Sequence, residues 1–245
     1  MTTTLTIQLL NENVSLPDLS IGDAIDIAHI PSEFNEKRLS ALIGHLSGDS
    51  ALAGRLTAQE RYYILLNHQA TTSHKYNADD AGANDEYMFE TIQSDVPSEV
   101  QVGELTINHL LGAHVVVLEG ICENVADWLI GQMACQLSGN LASIIGGEDV
   151  VWEPIPPTMT DSEINAVIQE RFAFINQLSA TRKFNDLFDA YGNGVHQLAH
   201  FVTLGSDNKG LTVSKIGGDG AMEPSRFHTL DHLSGAAARL AECLA

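Results

Sequence analysis

Two pairs of histidines have the spacing best suited to chemistry. His196-Gln-Leu-Ala-His200 and His228-Thr-Leu-Asp-His232 each set two imidazoles four residues apart. On a helix that spacing puts both rings on one face, within reach of a shared metal ion. A hydrolytic zinc also needs an open coordination position beside a general base. The zincin pattern supplies that base as a Glu directly after the first His, but here the position is Gln197, whose amide takes up no proton near neutral pH. The second pair is closer to the inverted pattern, with Asp231 where a Glu belongs and one methylene shorter. Neither pair is expected to form a catalytic zinc centre. The competing expectation is polar, partly buried histidines packed beside Phe201 or Phe227.

Other constellations are incomplete. Asn77-Ala-Asp79-Asp80-Ala-Gly82 opens like a calcium loop, yet Ala81 occupies the fifth position and Met88 the twelfth, where a bidentate Glu is required. Gly217-Gly-Asp-Gly220 and Gly146-Gly147 lack the spacing of a phosphate-binding loop and read as turns. No GxSxG elbow occurs. Cys122, Cys135 and Cys243 form an odd set without CxxC spacing, as expected of thiols kept reduced in a cytoplasm, with Cys122 and Cys135 serving as small hydrophobes. These patterns assign no catalytic residue, metal or cofactor, and the chain is expected not to be an enzyme.

Charge is more informative. Between Asn77 and Glu170 there is no Lys or Arg, and the whole chain carries a formal net charge of -20. Such a surface repels phosphate and attracts cations or basic protein faces. Nucleic-acid binding, which draws on Lys and Arg displacing counterions, is excluded on this ground. No apolar run approaches the ~20 residues of a membrane span, and the N-terminal Met-Thr-Thr-Thr lacks the basic region of a secretory signal. Asp79, Asp80, Asp85, Glu86, Glu90 and Asp95 are the candidate partner-binding patch, to be met by a basic surface.

The elements that would position these residues are mostly helical. Thr4 to Leu10 alternates as a strand does, with Asn11 to Asn13 as a turn, and mixed signals follow to Pro31. Ser32 is a predicted N-cap for a helix through Leu39, Leu42, Ile43 and Leu46 that ends at Gly48, and Thr57-Ala-Gln-Glu60 is a capping box opening a second helix. From Thr71 to about Glu104 the composition predicts a long acidic loop. Leu105 to Leu118 suits strand or helix, and Glu123 to Ser138 predicts a helix closed by Gly139. A strand at Val150–Trp152 is followed by a proline-rich connector that fits a subdomain boundary. Thr160-Asp-Ser-Glu163 caps a further helix, another stripe runs from Phe184 until Tyr191-Gly-Asn-Gly194 interrupts it, and Ser234 to Ala245 reads as a last helix.

Asn35-Glu-Lys-Arg-Leu-Ser-Ala-Leu-Ile43, the Gly48-Asp49 pair and Leu56-Thr-Ala-Gln-Glu-Arg-Tyr-Tyr-Ile-Leu-Leu66 resemble the N-terminal part of tail-tip and baseplate-hub proteins of tailed bacteriophages. The resemblance covers the first third of the chain. It implies a structural or assembly role in a viral tail or baseplate, synthesis in the host cytoplasm, residence in the virion and a hetero-oligomeric assembly with other tail proteins that present basic surfaces. It assigns no catalytic residues. The expected fold is α+β, mainly helical with a few short strands and a long acidic loop, divided as residues 1–75, an excursion at 76–104 and a helical part at 105–245. The rival readings are a metal-dependent hydrolase using the HxxxH pairs and an acidic binding or inhibitor protein.

Overall fold

The computed structural model describes residues 5–73, 84–89, 95–216 and 224–229. The fold is α+β and mainly helical, with short antiparallel strands. It divides into two units: the first joins the residues before Asp95 to His200–Gly205 and to those from Leu211 onward, and the second holds Asp95–Ala199 and Ser206–Gly210.

In unit one, β1 (Leu5–Gln8) pairs antiparallel with β2 (Asn13–Leu16), so that Ile7 and Val14 oppose each other and both are buried. Alternation sends Thr6 and Ser15 to the other face, where their hydroxyls lie 3.3 Å apart. Ser20 and Asp23 form a capping box at the start of α1 (Ile21–Ala28). The following helix, α2 (Asn35–Ser47), buries Leu39, Leu42, Ile43 and Leu46 and ends on Gly48, whose φ of 71° is left-handed. Its N-cap is Phe34, without a side-chain cap, so the predicted cap at Ser32 falls outside the helix. A short α3 (Leu52–Arg55) leads into α4 (Ala58–Ser73). Buried residues surround most of α4, with Tyr62, Ile64, Leu65 and Leu66 all sealed from solvent. A helix buried on most sides shows little amphipathic periodicity; its cap, with Tyr62, Leu65 and Leu66 behind it, marked it in the sequence.

Unit two is built on the antiparallel sheet β3-β4-β5-β6, formed by Glu99–Val102, Leu105–Asn108, Leu137–Asn140 and Val151–Trp152. Val100 opposes Ile107, and Ile107 opposes Leu137, stacking apolar side chains along one face. Strand β3 lies inside the stretch expected to be a loop; its pairing with β4 through the Gly103-Glu104 turn, where Gly103 has φ 66°, supplies the order that composition alone did not suggest. The ambiguous Leu105–Leu118 piece is both forms in turn, β4 and then α5 (Gly112–Ile121). Helix α6 (Val125–Gln136) is capped by Asn124 and passes directly into β5, so it stops before Gly139, the expected end. Gly139 instead has φ 86° within the strand, where a Cβ would collide with the Glu104 carbonyl.

After α7 (Ala142–Ile145) the proline-rich connector leads to α8 (Asp161–Asn176), opened by the expected Thr160–Glu163 capping box. That connector is no subdomain boundary: His114 Nε2 donates to the Ile155 carbonyl at 2.9 Å and the Arg171 guanidinium donates to the Glu153 carbonyl, fixing it within unit two. Helix α9 (Lys183–Gln197) runs through Tyr191-Gly-Asn-Gly194 without interruption. The chain then forms the two-stranded pair β7 (Thr203–Asp207) and β8 (Gly210–Ser214). The predicted helix over residues 234–245 lies outside the described residues.

Candidate functional site

Of the candidate acidic patch, Asp79, Asp80 and Glu90 lie outside the described residues. Asp85 and Glu86 sit on a 3-10 turn, Asp85–Tyr87, in unit one, and both are exposed. Asp95 is exposed at the start of unit two. The turn is held firmly to its own unit. Glu86 pairs with Lys215, its carbonyl accepts the Ile216 N–H at 2.7 Å, and the Lys215 ammonium lies 5.4 Å from the Tyr87 ring centroid. Tyr87 is buried edge-on to Phe227 at 4.9 Å, with its hydroxyl 2.7 Å from Ser225 Oγ. Asn84 donates to the Leu66 carbonyl and to Gln69, while the Phe89 N–H donates to Phe201. The apolar knot at Tyr87 thus anchors the segment, and Glu86 already has a cation of its own chain.

The carboxylates of unit two are far more open. Glu99, Glu104, Glu123, Glu148, Asp149, Glu153, Asp161, Glu163 and Glu170 are all exposed. Two of them converge: Asn140 Nδ2 donates to Glu104 at 3.1 Å and to Asp149 at 3.0 Å, with its oxygen held by the Ala142 N–H. The first cation after this run, Arg171, is interior. Its Nη1 donates to the Ala134 and Leu137 carbonyls and its guanidinium carbon lies 4.9 Å from the Trp152 ring centroid. Burial lowers its pKa, and the ring of carbonyl acceptors compensates the charge locally without offsetting the anionic exterior.

His196 and His200 do not lie on one helix. Helix α9 ends at Gln197, leaving exposed His196 in its last turn and His200 beyond it, bridged to Val202 and buried. His200 is edge-on to Phe201 at 5.2 Å, matching the expected packing, and its Nε2 lies 2.9 Å from Thr57 Oγ1. His228 is half-buried and His232 lies outside the described residues. Among the described residues no group of three or more His, Cys, Asp or Glu side chains could hold a metal ion. Cys135 is buried and Cys122 half-buried; burial pushes the Cys122 thiol up to about 12 and Cys135 higher, which keeps both as unreactive thiols near neutral pH.

Sequence reasoning missed a buried polar cluster in unit one. Arg61 Nη2 donates to Glu36 Oε2 at 2.9 Å and to the Glu36 carbonyl at 2.8 Å, and its Nη1 donates to Ser40 and to the Ala53 carbonyl. Tyr62 donates to Glu36 Oε1 at 2.6 Å, and burial followed by the Glu36 charge raises the phenol well above its ordinary pKa. Arg61 is sealed from solvent and Glu36 is 2% exposed, so the cluster orients helices and is closed to a substrate. A local signal existed only for Glu60, as the capping-box partner of Thr57; the Glu36–Arg61 contact spans 25 residues and leaves none. No protein-family model matches the chain, and no curated protein or solved structure is significantly similar to it.

Proposed function

We propose that this chain is a structural or assembly component that acts through protein–protein contacts, of the kind that builds bacteriophage tails and baseplates, and that its partners present basic surfaces. The supporting observation is the charge balance of unit two between Glu99 and Glu170: nine carboxylates there are exposed and no Lys or Arg stands among them, while the next cation, Arg171, is buried among carbonyls and the exposed Arg182 and Lys209 are too few to offset the excess. Summed like charge over such a face accelerates encounter with a cationic partner and discriminates against anionic ones. The tail assignment itself comes from the resemblance of residues 35–66 to tail-tip and baseplate-hub proteins. On this reading the chain is made in the host cytoplasm and ends in the virion.

Mass spectrometry of purified particles tests it, with a stoichiometric copy of the chain expected alongside other tail proteins. Particles that lack the chain yet remain intact and infectious would overturn the assignment. Exchanging Asp79, Asp80, Asp85 and Glu86 for Asn and Gln is expected to slow association at low ionic strength, and unchanged association kinetics would remove these residues from the docking surface.

A further inference from the structure

Residues 224–229 lie across unit one in the way a bound peptide lies on its receptor. Their main chain is held at both ends. Ser225 N–H donates to the Val213 carbonyl at 2.9 Å and its carbonyl accepts the Val213 N–H at 2.8 Å, adding a bridge to β8. At the other end the Asn35 amide spans two peptide units, Nδ2 donating to the Phe227 carbonyl at 3.2 Å and Oδ1 accepting the Thr229 N–H at 2.9 Å. Alternate side chains meet the same wall, as those of an extended chain do. Ser225 Oγ is 2.7 Å from the Tyr87 hydroxyl, the Phe227 ring meets Tyr87 edge-on at 4.9 Å, and Thr229 Oγ1 donates to Asn35 Oδ1 at 3.2 Å. Asn35 gives its side chain to this contact while α2 starts on Phe34 without a side-chain cap, the place where an asparagine would serve the helix best. A strand bridge, an amide clamp on the main chain and one aromatic anchor are the means by which proteins hold extended peptides.

We infer that the wall formed by β8, Tyr87 and Asn35 is a docking site for an extended, positively charged segment of a partner protein, and that residues 224–229 occupy it in cis until the partner displaces them. The inference rests on the contact function proposed above and adds a site in unit one. The seated segment defines the chemistry of its replacement. Ser225, Phe227 and Thr229 make the contacts, so the partner segment carries a hydroxyl, an aromatic ring and a hydroxyl at alternate places. Arg226 and His228 stand between them, and no carboxylate occurs from Pro224 to Thr229. A partner with a basic surface supplies such a segment, whereas a second copy of this chain would bring one formal charge of -20 against another.

The test uses the full chain and a fluorescent peptide of residues 224–229, with a scrambled peptide as control, at physiological salt. The tethered segment competes with the peptide, so the parent is expected to bind it weakly and Phe227→Ala about tenfold more tightly. Added peptide should raise the melting temperature of that variant. Ser225→Ala, a milder weakening of the tethered segment, should gain in the same direction, and Asn35→Ala placed on Phe227→Ala should lose the binding. Variants that bind the native and scrambled peptides alike, or no better than the parent, overturn the docking site and leave residues 224–229 as packing only; if Phe227→Ala does not fold, Ser225→Ala decides by the same readings. A concentration-dependent dimer of the parent that Phe227→Ala dissolves would assign the site to exchange between copies and overturn the partner segment. Either failure leaves the contact function itself standing, since that is decided on purified particles.

Discussion

Thr57 Oγ1 and His200 Nε2 lie 2.9 Å apart across 143 residues of sequence, both buried, and this bond ties the start of α4 to the segment that follows α9. The Thr57 hydroxyl also donates to Glu60 Oε2 and accepts the Glu60 N–H, each at 3.1 Å. With its one proton on Glu60, Thr57 accepts from His200, which fixes the Nε2–H form of that imidazole. Glu60 completes the hub by accepting from Thr57 N–H and, on its other oxygen, from Leu10 N–H at the end of the β1 hairpin. Thr57→Ala removes the cap and, with it, the buried bond from His200 Nε2. It is expected to cost about 2–3 kcal/mol, read as a fall in urea midpoint, with Thr57→Ser restoring most of it.

The Glu36–Arg61 pair is the second buried tie of unit one, and its two members are unequal to their absence. Arg61→Met takes the guanidinium away from the buried Glu36 carboxylate, which keeps its bond from Tyr62, and is expected to destabilise by about 3–5 kcal/mol. The double substitution Glu36→Leu/Arg61→Met removes the uncompensated charge and should recover part of that loss. A double substitution as unstable as Arg61→Met alone would show that the lost hydrogen bonds to Ser40 and Ala53, not the charge, dominate.

What could be read in the sequence was local. Both capping boxes with Glu at the fourth place, at Thr57 and Thr160, and the glycine stop at Gly48 occur as expected, because each bond joins residues a few positions apart. Helix α1 escaped notice although Ser20–Asp23 is the same device with a shorter carboxylate. The end of α6 was misplaced because Leu137 and Ser138 are taken by pairing with β4, a long-range demand that overrides helical periodicity. Glycines at 192 and 194 suggested a break in α9, yet the helix spans both. The candidate site was less legible still: the Glu36–Arg61 contact and the internal position of Arg171 depend on tertiary neighbours, and the anionic run showed its sign without its partners.

Stability should decline in mild acid, and His114 is a named cause. Its Nε2 must carry the proton it donates to the Ile155 carbonyl, while Nδ1 accepts the Leu111 N–H at 3.3 Å, so the neutral ring suits the fold and the cation does not. Burial lowers His114 to about 4, and burial does the same to His68. An unfolded histidine titrates near 6.5, so between about 6.5 and 4 the unfolded chain holds the extra proton and stability falls as pH drops. The loss is fully developed below the folded value and absent above about pH 7. Each ring accounts for roughly 3 kcal/mol at most. Urea midpoints taken from pH 7 to pH 4 should fall more steeply in the parent chain than in His114→Gln, whose amide does not titrate; parallel profiles would remove His114 as a cause.

Gly192 and Gly194, two residues apart on α9, should respond oppositely to the same substitution. Gly194 is buried against β4, and an added methyl would stand 2.7 Å from Ile107 Cγ1, 2.8 Å from its Cδ1 and 3.0 Å from its Cβ. Since Ile107 is itself fully buried and β-branched, it has little freedom to retreat. Gly194→Ala is expected to destabilise by about 1–3 kcal/mol through overpacking, despite the better helix propensity of alanine. Gly192 is exposed with nothing within 4 Å of a Cβ, so Gly192→Ala is expected to stabilise by about 0.5–1 kcal/mol. Thermal melts of the two variants beside the parent decide the matter. Equal shifts of the same sign would mean that helix propensity alone governs α9 and that Ile107 does not require the glycine beneath it.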